Sequence, residues 1–153
     1  MSGSSSDAPA PIPPTFSFPI RVYWEDTDAG GVVYHASDLR FLERGRTEWV
    51  RAQGIGQHAL RASDDLVLAV RDMQIDFLRP GRLDDELRVT VVLEERRSAS
   101  FSVAQELWRG DECLVRARVR IASLRASTFK PRPLPGWMLA GPAPADDSND
   151  RTE

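Results

Sequence analysis

The stretch EDTDAGGVVYHASDLRFLERGRTEWV, residues 25–50, joins a bend to a helix. The first thirteen of these residues hold three acids, a glycine pair and one of the chain's two histidines. The second half changes to helical spacing, which places four apolar residues on one side: Leu39, Leu42, Trp49 and Val50. Ser37 is predicted to cap this helix and Gly54 to stop it.

The sequence on both sides of this stretch predicts a sheet. FPIRVYWE, residues 18–25, alternates like a strand, and GQHALRAS, residues 56–63, predicts a short second helix. Four further strands are predicted over residues 66–78, 86–95, 98–108 and 114–125. Antiparallel hairpins are the natural connection between strands so close in sequence. The order predicts an α+β fold in which one five-stranded antiparallel sheet wraps a long central helix.

Composition limits the class of protein. The 153 residues are 41% hydrophobic and 28% charged, which predicts a single globular domain over residues 16–139. Residues 1–15 and 140–153 are rich in small residues and proline, so both ends are predicted to be disordered tails. A net charge of -3 offers no basic footprint for nucleic acid. No apolar run is long enough to span a bilayer, no secretory signal is recognisable, and the single Cys113 suits a reducing compartment. We expect a cytoplasmic protein.

The bend has the residue types that acyl transfer needs. Asp26 and Asp28 follow the first strand, and Gly30 and Gly31 let a ligand or another backbone come close. The first amides of the following helix are unpaired donors at the positive end of a dipole, which suits an oxygen that gains negative charge. A carboxylate beside them can attack a carbonyl or activate water.

Simpler interpretations of the same residues stay open. The two aspartates could cap the turn, with the glycines only permitting the bend. A Mg²⁺ site would need further oxygen ligands that the sequence does not supply, and two histidines form no dense metal cluster, so we predict no metal. His35 has no Ser or Cys nucleophile at a diagnostic spacing and could be a packing residue.

A family resemblance covers most of the chain, from about Ile20 to Leu134. RVYWEDTDAGGVVYHASDLRFLERGRTEW resembles the signature of the hotdog-fold acyl-CoA thioesterases, and the likeness continues through MQIDFLRPGRLDD and KPRPLP. The branch is the one that joins the 4-hydroxybenzoyl-CoA thioesterases to the thioesterase associated with the Tol-Pal system. The resemblance implies dimers that join their sheets edge to edge, often a homotetramer of two dimers, and an active site at the dimer interface.

The resemblance also implies roles for residues of the bend. Asp28 matches the catalytic carboxylate, as nucleophile or general base, and Asp26 its supporting acid. His35 matches the position whose amide holds the thioester carbonyl and whose imidazole is thought to participate. Tyr34 would line the acyl site. Trp24 stands where a smaller aromatic residue is common, which leaves the acyl specificity open, and Gly45 stands where alanine is typical.

Coenzyme A carries phosphates, so cations are expected near the entrance of the site. The candidates are Arg96, Arg97 and Ser98, supported by the resemblance, with Lys130 and Arg132 as a second group. A solvated charged turn is the alternative interpretation. The alternating arginines at 116, 118 and 120 predict a solvated or inter-dimer face.

Three functions compete. The first is hydrolysis of an acyl-CoA without a cofactor, with acyl carrier protein as an alternative donor. The second is hydration or dehydration on the same fold, but the Asn-Pro element of hotdog hydratases is absent between Asp28 and His35. The third is a non-catalytic module that binds thioesters or carrier protein, against which an intact Asp28 argues.

Overall fold

The computed structural model describes residues 15–54 and 57–139. The predicted tails, residues 1–15 and 140–153, lie outside the described residues apart from Thr15. The strands are β1 (Phe16–Arg21), β2 (Leu66–Phe77), β3 (Glu86–Arg96), β4 (Ser100–Arg109) and β5 (Glu112–Arg125). The helices are α1 (His35–Arg51) and α2 (Gln57–Asp64), and a 3₁₀ turn covers Trp24–Asp26. Within the described ranges, no helix combines the length and apolar character needed to cross a bilayer.

The five strands form one antiparallel sheet in the order β1-β3-β4-β5-β2. Helix α1 packs against β1, β3 and β4. The predicted α+β architecture, with a long helix wrapped by a five-stranded sheet, is therefore confirmed. The predicted second helix is also present, as α2.

The connection between β2 and β3 differs from the expected hairpin. Strand β2 pairs with β5 at the far edge of the sheet, so the chain must cross the end of the sheet to reach β3. The crossing is held at its start by the Leu78 amide, which donates to the Leu114 carbonyl at 2.8 Å. Midway, the Val33 amide of the bend donates to the Gly81 carbonyl at 2.8 Å. The crossing therefore anchors the bend to the sheet.

Two predicted boundaries were wrong. The first strand ends at Arg21 instead of residue 25, because the Asp26 carboxylate accepts the Tyr23 amide at 2.8 Å and curls the chain into the 3₁₀ turn. Helix α1 begins at His35, so Ser37 is not the N-cap; it is buried in the first turn, and its amide donates to the Tyr34 carbonyl at 2.7 Å. Gly54, with φ of +104°, lies just beyond the end of α1, as expected of a stop.

The buried face of α1 is wider and more polar than its sequence spacing indicated. It consists of Ser37, Asp38, Phe41, Leu42, Gly45, Arg46 and Val50. Leu42 and Val50 are buried as predicted, whereas Leu39 and Trp49 are only half-buried. The carboxyl group of Asp38 and the guanidinium group of Arg46 therefore lie among core residues.

Gly45 is the point of closest approach between α1 and the sheet. A Cβ atom built on Gly45 would lie 2.8 Å from Cγ2 and 2.9 Å from Cγ1 of Val89. Val89 is fully buried and β-branched, so its methyl groups cannot rotate away cheaply. The glycine that interrupts the helical pattern thus allows the helix to sit directly on β3.

Replacing Gly45 with alanine is expected to destabilise the protein. Overpacking should cost about 1–3 kcal/mol, which exceeds the ~1 kcal/mol that alanine gains over glycine in a helix. In a Val89→Ala background the clash disappears, so Gly45→Ala should become neutral or stabilising there. Urea unfolding of the four proteins of this cycle measures the change. A Gly45→Ala protein more stable than the parent, with Val89 intact, would contradict the close packing.

Candidate active site

The bend is a tight loop closed by backbone hydrogen bonds. The Asp28 amide donates to the Val32 carbonyl at 2.9 Å, and the Gly31 amide donates to the Asp28 carbonyl at 2.9 Å. Gly31 has φ of +84°, which only glycine adopts without strain. The loop therefore holds Asp28 rigidly at the end of the sheet, where β1 ends and β3 begins.

The Asp28 carboxylate makes one contact that orients it. Its Oδ1 accepts the Gly30 amide at 2.8 Å, as the turn-capping interpretation predicted. The side chain is exposed, and its Oδ2 has no hydrogen-bond partner among the described residues. A Cβ on Gly30 would lie 3.2 Å from Oδ1, so glycine leaves room for this contact. One oxygen fixes the carboxylate while the other is free to meet water or a carbonyl carbon.

The start of α1 supplies open donors next to this carboxylate in sequence. The Tyr34 amide donates to the Asp26 carbonyl at 2.9 Å, which fixes the entry to the helix. Tyr34 is the N-cap residue but makes no side-chain cap. Among the described residues, the His35 and Ala36 amides have no hydrogen-bond acceptor. These two N–H groups at the positive end of the helix are suited to hold an oxyanion.

Asp26 is buried, unlike Asp28. Its side chain is 1% exposed, and Oδ2 accepts the Tyr23 amide at 2.8 Å. Its Oδ1 is buried without a hydrogen-bond partner in the described part of the chain. The carboxylate and the carbonyl of Asp26 together join the 3₁₀ turn to the helix start, so Asp26 fixes the two ends of the bend relative to each other.

Aromatic side chains surround the helix start. The His35 ring lies 4.6 Å from the Tyr34 ring and 6.0 Å from the Phe77 ring, centroid to centroid. Since Phe77 ends the edge strand β2, the start of α1 lies near that end of β2. Trp24 and Tyr34 are 81% and 47% exposed, so both present apolar surface that the described part of the chain does not cover.

The predicted coenzyme A contacts lie elsewhere in the same chain. Arg96 donates to the carbonyls of Met138 and Pro135 at 3.0 and 2.8 Å, and Arg97 pairs with Glu95 at 2.8 Å. Ser98 is exposed next to them. This group follows the end of β3, whereas the bend lies beside its start, and eleven residues of strand extend about 33 Å. One chain therefore does not bring the two groups together.

The other predicted cations differ in whether they have a charged partner. Lys130 is exposed, and Arg132 donates to the Pro133 carbonyl at 2.9 Å. The arginine stripe of β5 is paired across strands: Arg116 with Glu106 at 3.0 Å, Arg118 with Glu94 at 2.9 Å and Arg120 with Asp72 at 3.9 Å. The outer face of the sheet is thus largely neutralised.

Two charged residues of α1 were missed as site candidates. Asp38, in the first turn, is 7% exposed, and burial raises the pKa of its carboxyl from 3.8 to about 7. Arg46 is 9% exposed, and burial lowers the pKa of its guanidinium while the charge of Glu43 opposes this. Asp38 and Arg46 lie four residues before and after Leu42, on the apolar side of α1. A charged residue at helical spacing from an apolar one was the signal that could have identified them.

In the part of the chain that the structure describes, no three His, Cys, Asp or Glu side chains converge as a metal ion would require. Asp26 and Asp28 also differ in environment, since the first is buried and the second exposed. The chemistry that the site offers is that of an exposed carboxylate in the loop that leads to two open amides.

A five-stranded antiparallel sheet around one long helix is the hotdog fold, which known thioesterases share. Residues 22–141 match the family model of the Thioesterase-like superfamily, and the chain belongs to that family.

Known relatives agree with this assignment. The chain is 42% identical over 120 residues to the acyl-CoA thioesterase YbgC of Haemophilus influenzae, covering 78% of this chain and 88% of that protein. It is 40% identical to the acyl-CoA thioester hydrolase YbgC of Escherichia coli, over 82% and 93% of the two chains. A probable thioesterase from Bartonella henselae superposes with a TM-score of 0.77 at 38% identity, covering 80% of this chain and all of that one.

Proposed function

We propose that this protein hydrolyses acyl-CoA thioesters to a free acid and coenzyme A. The observation that carries the proposal is the free Oδ2 of Asp28 in the loop that leads to the open amides of His35 and Ala36. The names of the curated relatives support the thioester of coenzyme A as substrate. Acyl carrier protein is an alternative donor of the same bond.

The reaction follows from this geometry. The thioester oxygen accepts hydrogen bonds from the amides at the start of α1, which stabilise the negative charge that develops on it. Asp28 either attacks the carbonyl carbon, giving an anhydride that water then cleaves, or removes a proton from the attacking water. In both routes the C–S bond breaks, and the thiolate leaves and is protonated. No step requires a cofactor, and His35 and Tyr34 would border the reacting carbonyl.

A thiol-trapping assay across a panel of acyl-CoAs tests the proposal. Release of free thiol supports hydrolysis. A change in enoyl absorbance without thiol would support a hydratase, and binding with neither signal would support a non-catalytic module. Retained activity in EDTA is expected if no metal takes part. The cytoplasmic location stays a prediction from the sequence.

The active unit is proposed to be at least a homodimer joined through β2. This strand has no neighbour on its outer side within the described sheet, and open strand edges of this length favour pairing. Val70, Phe77 and Leu78, at its surface or just after it, are 49%, 48% and 48% exposed. A second subunit placed here would approach the bend and could bring its own Arg96–Ser98 group toward the first subunit's site. A tetramer of two such dimers is the larger assembly proposed.

Val70→Lys is expected to weaken this dimer by roughly tenfold or more, because a two-fold axis places the buried charge twice in one apolar contact. Turnover per chain should fall with dissociation, while the melting temperature measured on the monomer should change little. Light scattering over a dilution series measures the mass. Trp137→Lys, at a residue that is 52% exposed on the C-terminal segment, is the matched control. A fully active monomer would refute the shared site.

A further inference from the structure

A small cavity lies between α1 and the sheet at the side that β2 forms. Its volume is about 100 Å³, and its walls include Trp49, Leu68, Val70, Phe101 and Ile121. An apolar cavity of about 150 Å³ is known to hold a benzene molecule, so this cavity has room for a few heavy atoms. Helix α1 packs mainly on β1, β3 and β4, which leaves this side of the helix open.

The cavity is lined by one buried cation. Arg46 is 9% exposed, and its Nη1 donates to Oε1 of Gln105 at 3.0 Å. The Gln105 amide is itself fixed, since its Nε2 donates to the Leu42 carbonyl at 3.0 Å. Among the described residues, the remaining N–H groups of Arg46 have no hydrogen-bond acceptor. None of these unpaired nitrogen atoms is fully buried, so they stay open to an acceptor that enters the cavity.

The charges of Glu43 and Arg46 at the cavity determine which kind of hydrogen-bond acceptor it would bind. Glu43 also lines the cavity, and its carboxylate accepts the Thr47 hydroxyl at 2.7 Å. Its negative charge lies close enough to Arg46 to act on that guanidinium. The pair makes the cavity nearly neutral overall, which favours a hydroxyl or carbonyl oxygen over a second carboxylate.

The cavity lies further along α1 and β2 than the candidate site. Arg46 follows His35 by eleven residues, which is about 16 Å along the helix axis, and helical side chains lean back toward the N-terminus. Phe77 contacts His35 at one end of β2, and Val70 lines the cavity further along the strand. Met73 and Ile75 between them are partly buried apolar residues that pack on the core. This spacing matches the length of a medium-length acyl chain whose carbonyl is bound at the start of α1.

We propose that Arg46 is a specificity-determining residue, whose guanidinium donates a hydrogen bond to a hydroxyl or carbonyl oxygen at the far end of the acyl group. The substrate class is then a medium-length acyl thioester with a distal oxygen. This inference rests on the proposed function, because it assigns a preference within acyl-CoA hydrolysis.

The test compares kcat/KM for decanoyl-CoA and ω-hydroxydecanoyl-CoA. The wild type should prefer the hydroxylated substrate by roughly tenfold or more, as a hydrogen bond to a charged group implies. Arg46→Met, which keeps the length but removes the donors, should bring the two values within about twofold. The ratio compares two substrates on one protein, so a loss of stability alone does not change it.

A second measurement does not depend on the variant. On the wild type, 6-hydroxyhexanoyl-CoA is too short to reach Arg46, so its hydroxyl should give no advantage over hexanoyl-CoA. Equal rates for the two decanoyl substrates, or a preference that persists in Arg46→Met, would overturn the inference while leaving acyl-CoA hydrolysis intact. If no acyl-CoA is hydrolysed, calorimetry compares the binding of two non-hydrolysable thioethers, ω-hydroxydecyl-CoA and decyl-CoA. Tighter binding of ω-hydroxydecyl-CoA would support the Arg46 site and reject only the hydrolysis. Equal binding of the two thioethers would reject both.

Discussion

Asp28→Asn is expected to lower kcat by on the order of 10² or more, the scale of losing a positioned acid-base group. The melting temperature should change little, because the asparagine oxygen can still accept the Gly30 amide that Oδ1 accepts at 2.8 Å. A residue that only capped the turn would tolerate this substitution. Steady-state kinetics and thermal unfolding of the same preparation separate these two roles.

Glu43→Gln is the control for this prediction. Some hotdog thioesterases use a helix carboxylate, and Glu43 is the exposed carboxylate of α1 that could compete with Asp28. It follows His35 by eight residues, about 12 Å along the axis, and its carboxylate accepts the Thr47 hydroxyl. We therefore expect Glu43→Gln to keep most of the activity. A dead Glu43→Gln protein beside an active Asp28→Asn protein would move the catalytic role to Glu43.

The sequence was most informative where local chemistry and periodicity agree. The alternation along β3, β4 and β5 placed their strands within two residues of the observed bounds, since a two-residue period with short polar turns allows few other structures. The hotdog fold and the thioesterase family followed from the string that runs through the bend into α1, and both are confirmed. The roles of Asp28, His35 and the other site residues stay predictions.

The failures arose where a side chain competes with the backbone. Tyr23 and Trp24 continue the alternation of β1, but the Asp26 carboxylate captures the Tyr23 amide and ends the strand. Similarly, Ser37 has the chemistry of a cap, yet the carbonyl of Asp26 fixes Tyr34 as the residue before the helix. Sequence spacing also could not reveal that β2 lies at the far edge of the sheet, beside β5, because strand pairing depends on contacts distant in sequence.

Asp38 is a buried carboxyl of α1, and it makes stability depend on pH. In the folded protein the pKa of its carboxyl is about 7, raised by burial from 3.8. Between these two values the folded protein keeps a proton that the unfolded chain has released. Unfolding therefore releases a proton, and the contribution of Asp38 to stability falls as pH rises through this window, reaching its minimum above about 7.

Asp38→Asn is expected to remove this loss, because the amide is uncharged at every pH and has nearly the same shape as the protonated acid. The variant should match the wild type near pH 4 and exceed its stability at pH 8 by up to roughly 4 kcal/mol, the free energy that corresponds to a pKa change from 3.8 to about 7. Urea unfolding of both proteins across this range measures the difference, and the same substitution at the exposed Asp111 controls for net charge. A stability difference that does not grow with pH, or a variant weaker than the wild type at pH 8, would mean that Asp38 is ionised in the folded protein and held by a favourable partner.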